Sequence, residues 1–146
     1  MYINLFILSI LMSKIILAVV LAGVVAQLLK IMFYVFKQQS FNWHDLIVTG
    51  GMPSSHSAFV TALTTVVYLE EGASTSFAVS VVLALIVLRD AFGVRRSVGE
   101  EGMMINQILR KLKIKTETHF SLGHTPAQVA VGILIGLLVA LAVSYF

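Results

Sequence analysis

Four apolar runs separated by polar segments constrain this chain more than any other feature of its sequence. They cover residues 14–36, 55–70, 73–93 and 124–146. A helix needs about 20 mostly apolar residues to cross a bilayer, and it satisfies its own backbone hydrogen bonds there. The runs therefore predict an all-α, polytopic bundle of about four transmembrane helices. The run 55–70 is the shortest, so its assignment rests on its position between two polar loops.

The composition agrees with a membrane location. Of the 146 residues, 58% are hydrophobic and 12% are charged, whereas soluble domains carry roughly 25% charged residues. Cysteine is absent, which excludes disulfides, a thiol nucleophile and a cysteine metal site. The length suits a single integral membrane domain, residues 1–146, and is too short for two sizeable domains.

Two other apolar segments are too short or too polar to be spans. Residues 2–12 predict a short interfacial or re-entrant segment, or an extension of the first helix. A cleaved signal peptide ending near Ala26 is the alternative, although no charged segment precedes it. A later segment separates apolar and basic residues onto different helix faces, which predicts an interfacial amphipathic helix on the membrane surface. Its apolar positions are Ile105, Ile108, Leu109 and Leu112, and its basic positions are Arg110, Lys111 and Lys113.

The charge distribution predicts an orientation. The net charge is +3, and the basic residues cluster after the first run and between the third and fourth, whereas acidic residues mark the turn after the second. Under the positive-inside rule, the loops 37–54 and 94–123 face the cytoplasm of a plasma membrane. The alternative is that these basic residues serve an anionic ligand.

A turn rich in glycine and serine carries the first candidate for chemistry. The residues Gly-Gly-Met-Pro-Ser-Ser-His-Ser occupy positions 50–57, where a polar loop enters an apolar helix. Proline suits the first helical turn, and the free N–H groups of a helix start favour an anion such as phosphate. His56 could then donate a proton to a bound phosphate, with Ser54 and Ser55 beside it. The alternative is a helix cap with an uninvolved histidine.

A second histidine precedes the fourth apolar run. His124 is followed by Thr125 and Pro126, and Thr125 with Gln128 matches a capping box at a helix start. The alternating direction of the spans puts this start on the same side of the membrane as His56. We therefore expect the two histidines to contribute to one site.

Cations from the other two spans are expected at the same side. Lys30 lies well inside the first apolar run, where a charged residue indicates function, and Lys37 follows two turns later. At the end of the third run, Asp90 needs a charged partner, and Arg95 and Arg96 are the nearest. A guanidinium forms a bidentate fork with phosphate. The alternative is a stop signal for which Asp90 is a structural counter-ion.

Small residues predict close helix packing. They recur at every fourth position in Ala18, Ala22 and Ala26 and in the pair Gly132 and Gly136. Such faces also suggest a homo-oligomer.

A metal or cofactor is not predicted. Glu100 and Glu101 with Asp90 are the nearest approach to a Mg²⁺ set, but they form no regular acidic array. The loop residues His44, Asp45 and His119 are expected to be solvated.

Taken in order, the segments AQLLK, GGMPSSHSA, DAFGVRRSVGE and GHTPAQV resemble the divergent branch of the type-2 phosphatidic acid phosphatase superfamily, relatives of vanadium-dependent haloperoxidases. The resemblance covers nearly the whole chain. The superfamily is characterised by the motifs KxxxxxxRP, PSGH and SRxxxxxHxxxD on a helical bundle. It implies transfer of phosphate to a histidine without a metal.

The resemblance assigns roles to individual residues. Lys30 matches the first lysine, and Lys37 stands at the arginine position. Ser54 and His56 match the second motif, with Ser55 replacing its glycine. His124 takes the place of the nucleophile. The third motif departs from the pattern, because Glu117 and Thr118 replace Ser-Arg, and Gln128 replaces the aspartate that would orient the histidine.

Two functions follow as hypotheses. The first is a membrane phosphohydrolase with a lipid phosphate or diphosphate as substrate. His124 is then the nucleophile and His56 the acid, while Lys30, Lys37, Ser54, Ser55, Arg95 and Arg96 bind the phosphate, and Asp90 and Gln128 orient or support the site. The second is a phospholipid-binding or transport protein without turnover, which the altered third motif favours. Neither hypothesis involves nucleic acid.

Overall fold

The computed structural model describes residues 13–38, 51–114 and 123–146, and these residues form helices and short connections without a strand. The helices are α1 (Lys14–Gln38), α2 (Ser55–Glu71), α3 (Thr75–Phe92), α4 (Val94–Lys111) and α5 (Pro126–Tyr145). Helices α1, α2, α3 and α5 match the four predicted runs to within two residues at either end. The predicted segment 2–12 and the loop residues His44, Asp45 and His119 lie outside the described residues.

Three helical runs in the described part of the chain are long and apolar enough to cross a membrane: Lys14–Phe36, Thr75–Lys111 and Pro126–Tyr145. The protein is therefore an integral membrane protein. Helix α2 has 17 residues, a length of about 26 Å at 1.5 Å per residue. That length is at the lower limit for a span, so α2 as a fourth span stays a prediction.

Helix α2 packs against α1, α3 and α5, and polar contacts mark both ends of this packing. At one end, Lys14 Nζ lies 4.0 Å from a carboxylate oxygen of Glu70 and donates to the carbonyl of Ser144 at 3.2 Å. At the other end, the N–H of Ser54 donates to the carbonyl of Gln128 at 3.2 Å. The first two contacts join the start of α1 to the ends of α2 and α5, and the third joins the starts of α2 and α5. Helices α2 and α5 therefore run parallel to each other and antiparallel to α1.

Small residues allow this close packing. Ala18, Ala22 and Ala26 on α1 are fully buried. On α5, a Cβ atom at Gly132 would overlap the backbone carbonyl of Ser54, and one at Gly136 would overlap that of Ala58. Only glycine permits an approach this close at these two positions. The small-residue faces thus pack within one chain, and a homo-oligomer stays a prediction.

The two helix starts are capped differently. Ser54 is the N-cap of α2, and its hydroxyl accepts from the N–H and the hydroxyl of Ser57 at 3.4 and 2.9 Å. Pro53 precedes this cap, so it lies outside the first helical turn where the sequence places it. At α5, Thr125 and Gln128 form the predicted capping box, and proline occupies the first turn.

Helix α4 begins directly after Gly93, where a Cβ atom would lie 2.6 Å from the carbonyl oxygen of Arg89. The helix is longer at its start than the amphipathic segment predicted from sequence, and it ends at Lys111. Leu112 and Lys113, which the prediction included, lie beyond it. Ile105 and Ile108 are exposed, and the location of α4 on a membrane surface stays a prediction.

Candidate functional site

The starts of α2 and α5 meet at one end of the bundle, beside the end of α3. The contact between Ser54 and Gln128 joins the two starts, and the backbone N–H of His124 donates to the carbonyl of Ala91 at 2.9 Å. This last contact fixes His124, two residues before α5, against the end of α3. Because it uses only backbone atoms, it carries no signal in the sequence.

His124 is nearly enclosed by this arrangement. Its exposed fraction is 6%, and its Nδ1 atom is buried without a hydrogen-bond partner among the described residues. The side-chain oxygen of Gln128, which the sequence suggests as an acceptor for His124, accepts from the backbone N–H of Thr125 at 2.9 Å. Gln128 also forms a side-chain hydrogen bond with His124, so it takes part in both the helix cap and the surroundings of the histidine.

The protonation of His124 follows from its surroundings. Burial lowers the pKa of His124, and the charges of Lys30 and His56 act in the same direction, while Gln128 and the backbone of Gly51 act against them. A histidine with a lowered pKa is neutral at pH 7. Its ring nitrogen therefore keeps the free electron pair that a nucleophile needs.

His56 is the second residue of α2 and is exposed at the same end of the bundle. The charges of Arg95, Lys30 and Asp90 act on its imidazole. The charge of His56 in turn acts on the imidazole of His124. The structure thus brings together both predicted histidines, a lysine from α1 and an arginine from the start of α4.

Lys30 reaches this end of the bundle from α1. Its Cε atom lies 3.5 Å from the position that a Cβ atom would take at Gly51. Gly51 has a φ of 84°, in the left-handed region that favours glycine. Glycine at position 51 therefore serves two purposes: it adopts the left-handed backbone conformation, and it leaves room for the side chain of Lys30. Lys37 lies in the last turn of α1, and its side chain is outside the described part of the structure.

The two arginines after α3 are paired with acidic groups. Arg95 donates from Nε to Asp90, and Arg96 donates from Nε to Glu100 at 3.0 Å. All four side chains are at least partly exposed. A guanidinium has five N–H groups, so an ion pair through Nε occupies only part of its donor capacity. Asp90 thus has the charged partner that its place at the helix end requires.

The chain segment before His124 packs directly on the arginines. A Cβ atom at Gly123 would overlap the backbone N–H of Arg96. Glycine at this position lets the residue before His124 lie against the first turn of α4. This close approach explains how His124, just before α5, and the first turn of α4 come together despite lying far apart in sequence.

The serines of the turn occupy different surroundings. Ser54 is fully buried and its hydroxyl accepts the capping bonds described above. Ser55 is half-buried and lies with Gln27 of α1 at one end of a groove between α1 and α2. Phosphate binding by either serine stays a prediction, and the capping role of Ser54 is the one its contacts support.

The replacement Gln128→Glu should raise the pKa of His124. A carboxylate at this position keeps the capping box, suits a helix start and favours the imidazolium form of the adjacent histidine. A pH titration of the histidine ring by NMR should show the midpoint for His124 at higher pH than in the unchanged protein. Gln107→Glu, the same change at an exposed position of α4, is the control. An unchanged midpoint in Gln128→Glu would contradict the proximity of the two side chains.

Comparison with known proteins supports the family resemblance that was inferred from the sequence motifs. A family model described as "Divergent PAP2 family" matches residues 11–139. The protein named "Uncharacterized membrane protein YuiD" of Bacillus subtilis (strain 168) is 39% identical over 143 residues, which cover 86% of this chain and 90% of that protein. No solved structure matches the chain. The match extends from α1 to α5 and includes both histidine-bearing helix starts, and it shows that the chain belongs to the divergent PAP2 family.

Proposed function

We propose that this protein is a phosphohydrolase that removes phosphate from a lipid phosphate or diphosphate through a phosphohistidine at His124. The observation that carries the proposal is the meeting of two helix starts, each with a histidine, beside a lysine and an arginine. Helix starts and cations both stabilise phosphate oxygens. Membership of the divergent PAP2 family supports the same chemistry, because the related superfamily includes phosphatidic acid phosphatases.

The proposed reaction has two steps. The Nδ1 atom of His124 is enclosed, so Nε2 is the atom that attacks phosphorus. The bond between phosphorus and the lipid oxygen breaks, and His56 gives its proton to that oxygen. Water then attacks the phosphohistidine, neutral His56 accepts a proton from the water, and inorganic phosphate leaves as the phosphorus–nitrogen bond breaks.

The remaining groups stabilise charge. Lys30 and Arg95 lie within electrostatic range of His56 and would hold the phosphoryl oxygens, with Arg96, Lys37 and Ser55 as further predicted contacts. Asp90 holds Arg95 in place through their ion pair. Ser54 fixes the start of α2 through its capping bonds, and its contact with the phosphate stays a prediction. Neither step of the proposed reaction uses a metal.

The site would face the cytoplasm of the plasma membrane. This orientation requires α2 to be the fourth span. Its two ends, at Ser54 and Glu70, lie beside the ends of α5 and α1, so α2 extends along the same length of the bundle as these helices. The basic side chains around Lys30 and Arg95 then lie on the side that the positive-inside rule favours. The amphipathic part of α4 would rest on the same surface.

A single assay tests the activity and the orientation. Purified protein in detergent should release phosphate from at least one of phosphatidate, phosphatidylglycerol phosphate and a prenyl diphosphate, with or without a chelator. In intact vesicles, a water-soluble short-chain substrate should be hydrolysed when the cytoplasmic face is outward and not when it is inward. Loss of release with chelator would overturn the metal-free scheme. Binding of these lipids without any release would overturn the enzyme proposal.

The second candidate is a lipid phosphate-binding or transport protein. One observation favours it: Nδ1 of His124 has no hydrogen-bond partner among the described residues. A nucleophilic histidine ordinarily relies on such a partner to hold its ring and to stabilise its charge. This candidate predicts retained lipid binding and no phosphate release in the same assay.

A further inference from the structure

A groove outside the cationic site runs between α1 and α2. It has a volume of about 340 Å³, within the range of about 300–1,000 Å³ that small-molecule sites occupy. Its lining consists of Val20, Gly23, Val24, Gln27, Ser55 and Phe59. The proposed reaction uses none of the apolar residues in this set.

One end of the groove lies next to the phosphate site. Gln27 lies one turn before Lys30 on the same face of α1, and Ser55 immediately precedes His56. The cations that act on His56 therefore lie at this end of the groove. An anionic headgroup bound there would match the charge of its surroundings.

The rest of the groove is apolar and open along the side of the bundle. A Cβ atom at Gly23 would overlap the ring of Phe59, so the ring lies directly over the glycine and forms the floor. Val20 and Val24 form the rim, with exposed fractions of 51% and 48%. Both lie on α1 within a candidate membrane span, so the groove opens at the depth of the lipid chains.

We infer that this groove binds the hydrocarbon chain of a lipid whose phosphate lies at the cationic site. The inference rests on the proposed phosphate site and adds to it the place where the hydrocarbon chain of the substrate binds. The ligand is a long-chain lipid phosphate that reaches the site laterally from the bilayer, between α1 and α2. A water-soluble phosphate ester would use the cationic end alone.

Photocrosslinking tests this placement without requiring turnover. The probe is hexadecyl phosphate with a diazirine a few carbons from the phosphate, bound to the full chain in nanodiscs. Mass spectrometry should find the label on groove residues, namely Val20, Val24 or Phe59. Excess unlabelled hexadecyl phosphate should compete with the label, and butyl phosphate at the same concentration should compete much less. Labelling confined to other helices would overturn the inference.

A pair of variants adds a quantitative test. Val24→Trp fills the groove from its exposed rim and should weaken hexadecyl phosphate binding by about tenfold, because each buried methylene group changes affinity by roughly fourfold. Butyl phosphate binding should not change. The control is Leu21→Trp, which adds the same bulk at an exposed position of α1 outside the groove. Equal effects of the two variants on hexadecyl phosphate would overturn the inference.

The two proposals fail separately in these experiments. Labelling of the groove without phosphate release from any lipid supports the chain-binding groove and rejects the enzyme. Phosphate release with labelling elsewhere supports the enzyme and rejects the groove. The crosslinking result on the unchanged protein stands even if a tryptophan variant unfolds.

Discussion

Replacement of His124 by alanine should lower kcat for phosphate release from the preferred lipid phosphate by about 10³-fold or more. The variant removes the only atom proposed to bond to phosphorus, so the covalent route is lost and only electrostatic assistance remains. Rapid acid quenching with a ³²P-labelled substrate should trap a labelled protein in the unchanged chain. The label should be absent from the variant, while binding of the intact lipid should persist.

His56 provides the matched comparison for this experiment. As the proposed acid, it should matter greatly for a lipid alcohol, which leaves poorly, and little for p-nitrophenyl phosphate, which leaves without a proton. The variant His56→Ala should therefore show a large loss with the lipid and a small loss with the nitrophenyl ester, whereas His124→Ala should lose both. A His124→Ala protein that still releases phosphate at the normal rate would reject the phosphohistidine mechanism.

Replacement of Gly132 by valine should destabilise the protein by about 3 kcal/mol, since it places side-chain atoms where a backbone already lies. A Cβ atom at this position would overlap the carbonyl of Ser54 and lie 2.9 Å from Cβ of Ser57. Helix α5 would have to move away from α2, and the contact that joins the two helix starts would break. We expect a fall in Tm of about 10 °C in detergent, together with weaker binding of lipid phosphate.

The control for this variant is Ala130→Val on the same helix. Ala130 is exposed, so the change tests the cost of a β-branched residue without the backbone overlap. Its Tm should remain within about 2 °C of the unchanged protein. Equal losses in Gly132→Val and Ala130→Val would show that α2 and α5 are not in the close contact described above.

Much of the fold was predictable because the membrane imposes simple rules on sequence. Length and apolar character place α1, α3 and α5 to within two residues, since a helix that crosses lipid must be apolar for most of its length. The helix start at Thr125 was predictable from its capping box, because that motif uses side chains only three residues apart. The ends of the amphipathic helix were harder to predict from the sequence, and the end of α4 at Lys111 was missed.

The site was predictable in its members but not in their contacts. The histidines at positions 56 and 124 were identified because each sits at a helix start, and the lysine at position 30 because charge inside an apolar run is costly. The backbone contact of His124 with Ala91 and the groove floor of Gly23 and Phe59 were not identified. Both depend on which faces of the helices meet, and helical spacing alone does not specify that.

Local rules and long-range packing thus determine different parts of this protein. Sequence alone shows a membrane chain of the divergent PAP2 type, its apolar helices and the residue types suited to phosphate, because hydropathy, capping and motif spacing act over a few turns. The tertiary structure decides that Gly132 and Gly136 pack within the chain and that Gly123 lies on the backbone of Arg96. It also encloses Nδ1 of His124 without an acceptor among the described residues. These contacts join residues far apart in sequence, and the close approach of whole helices, rather than local preference, creates them.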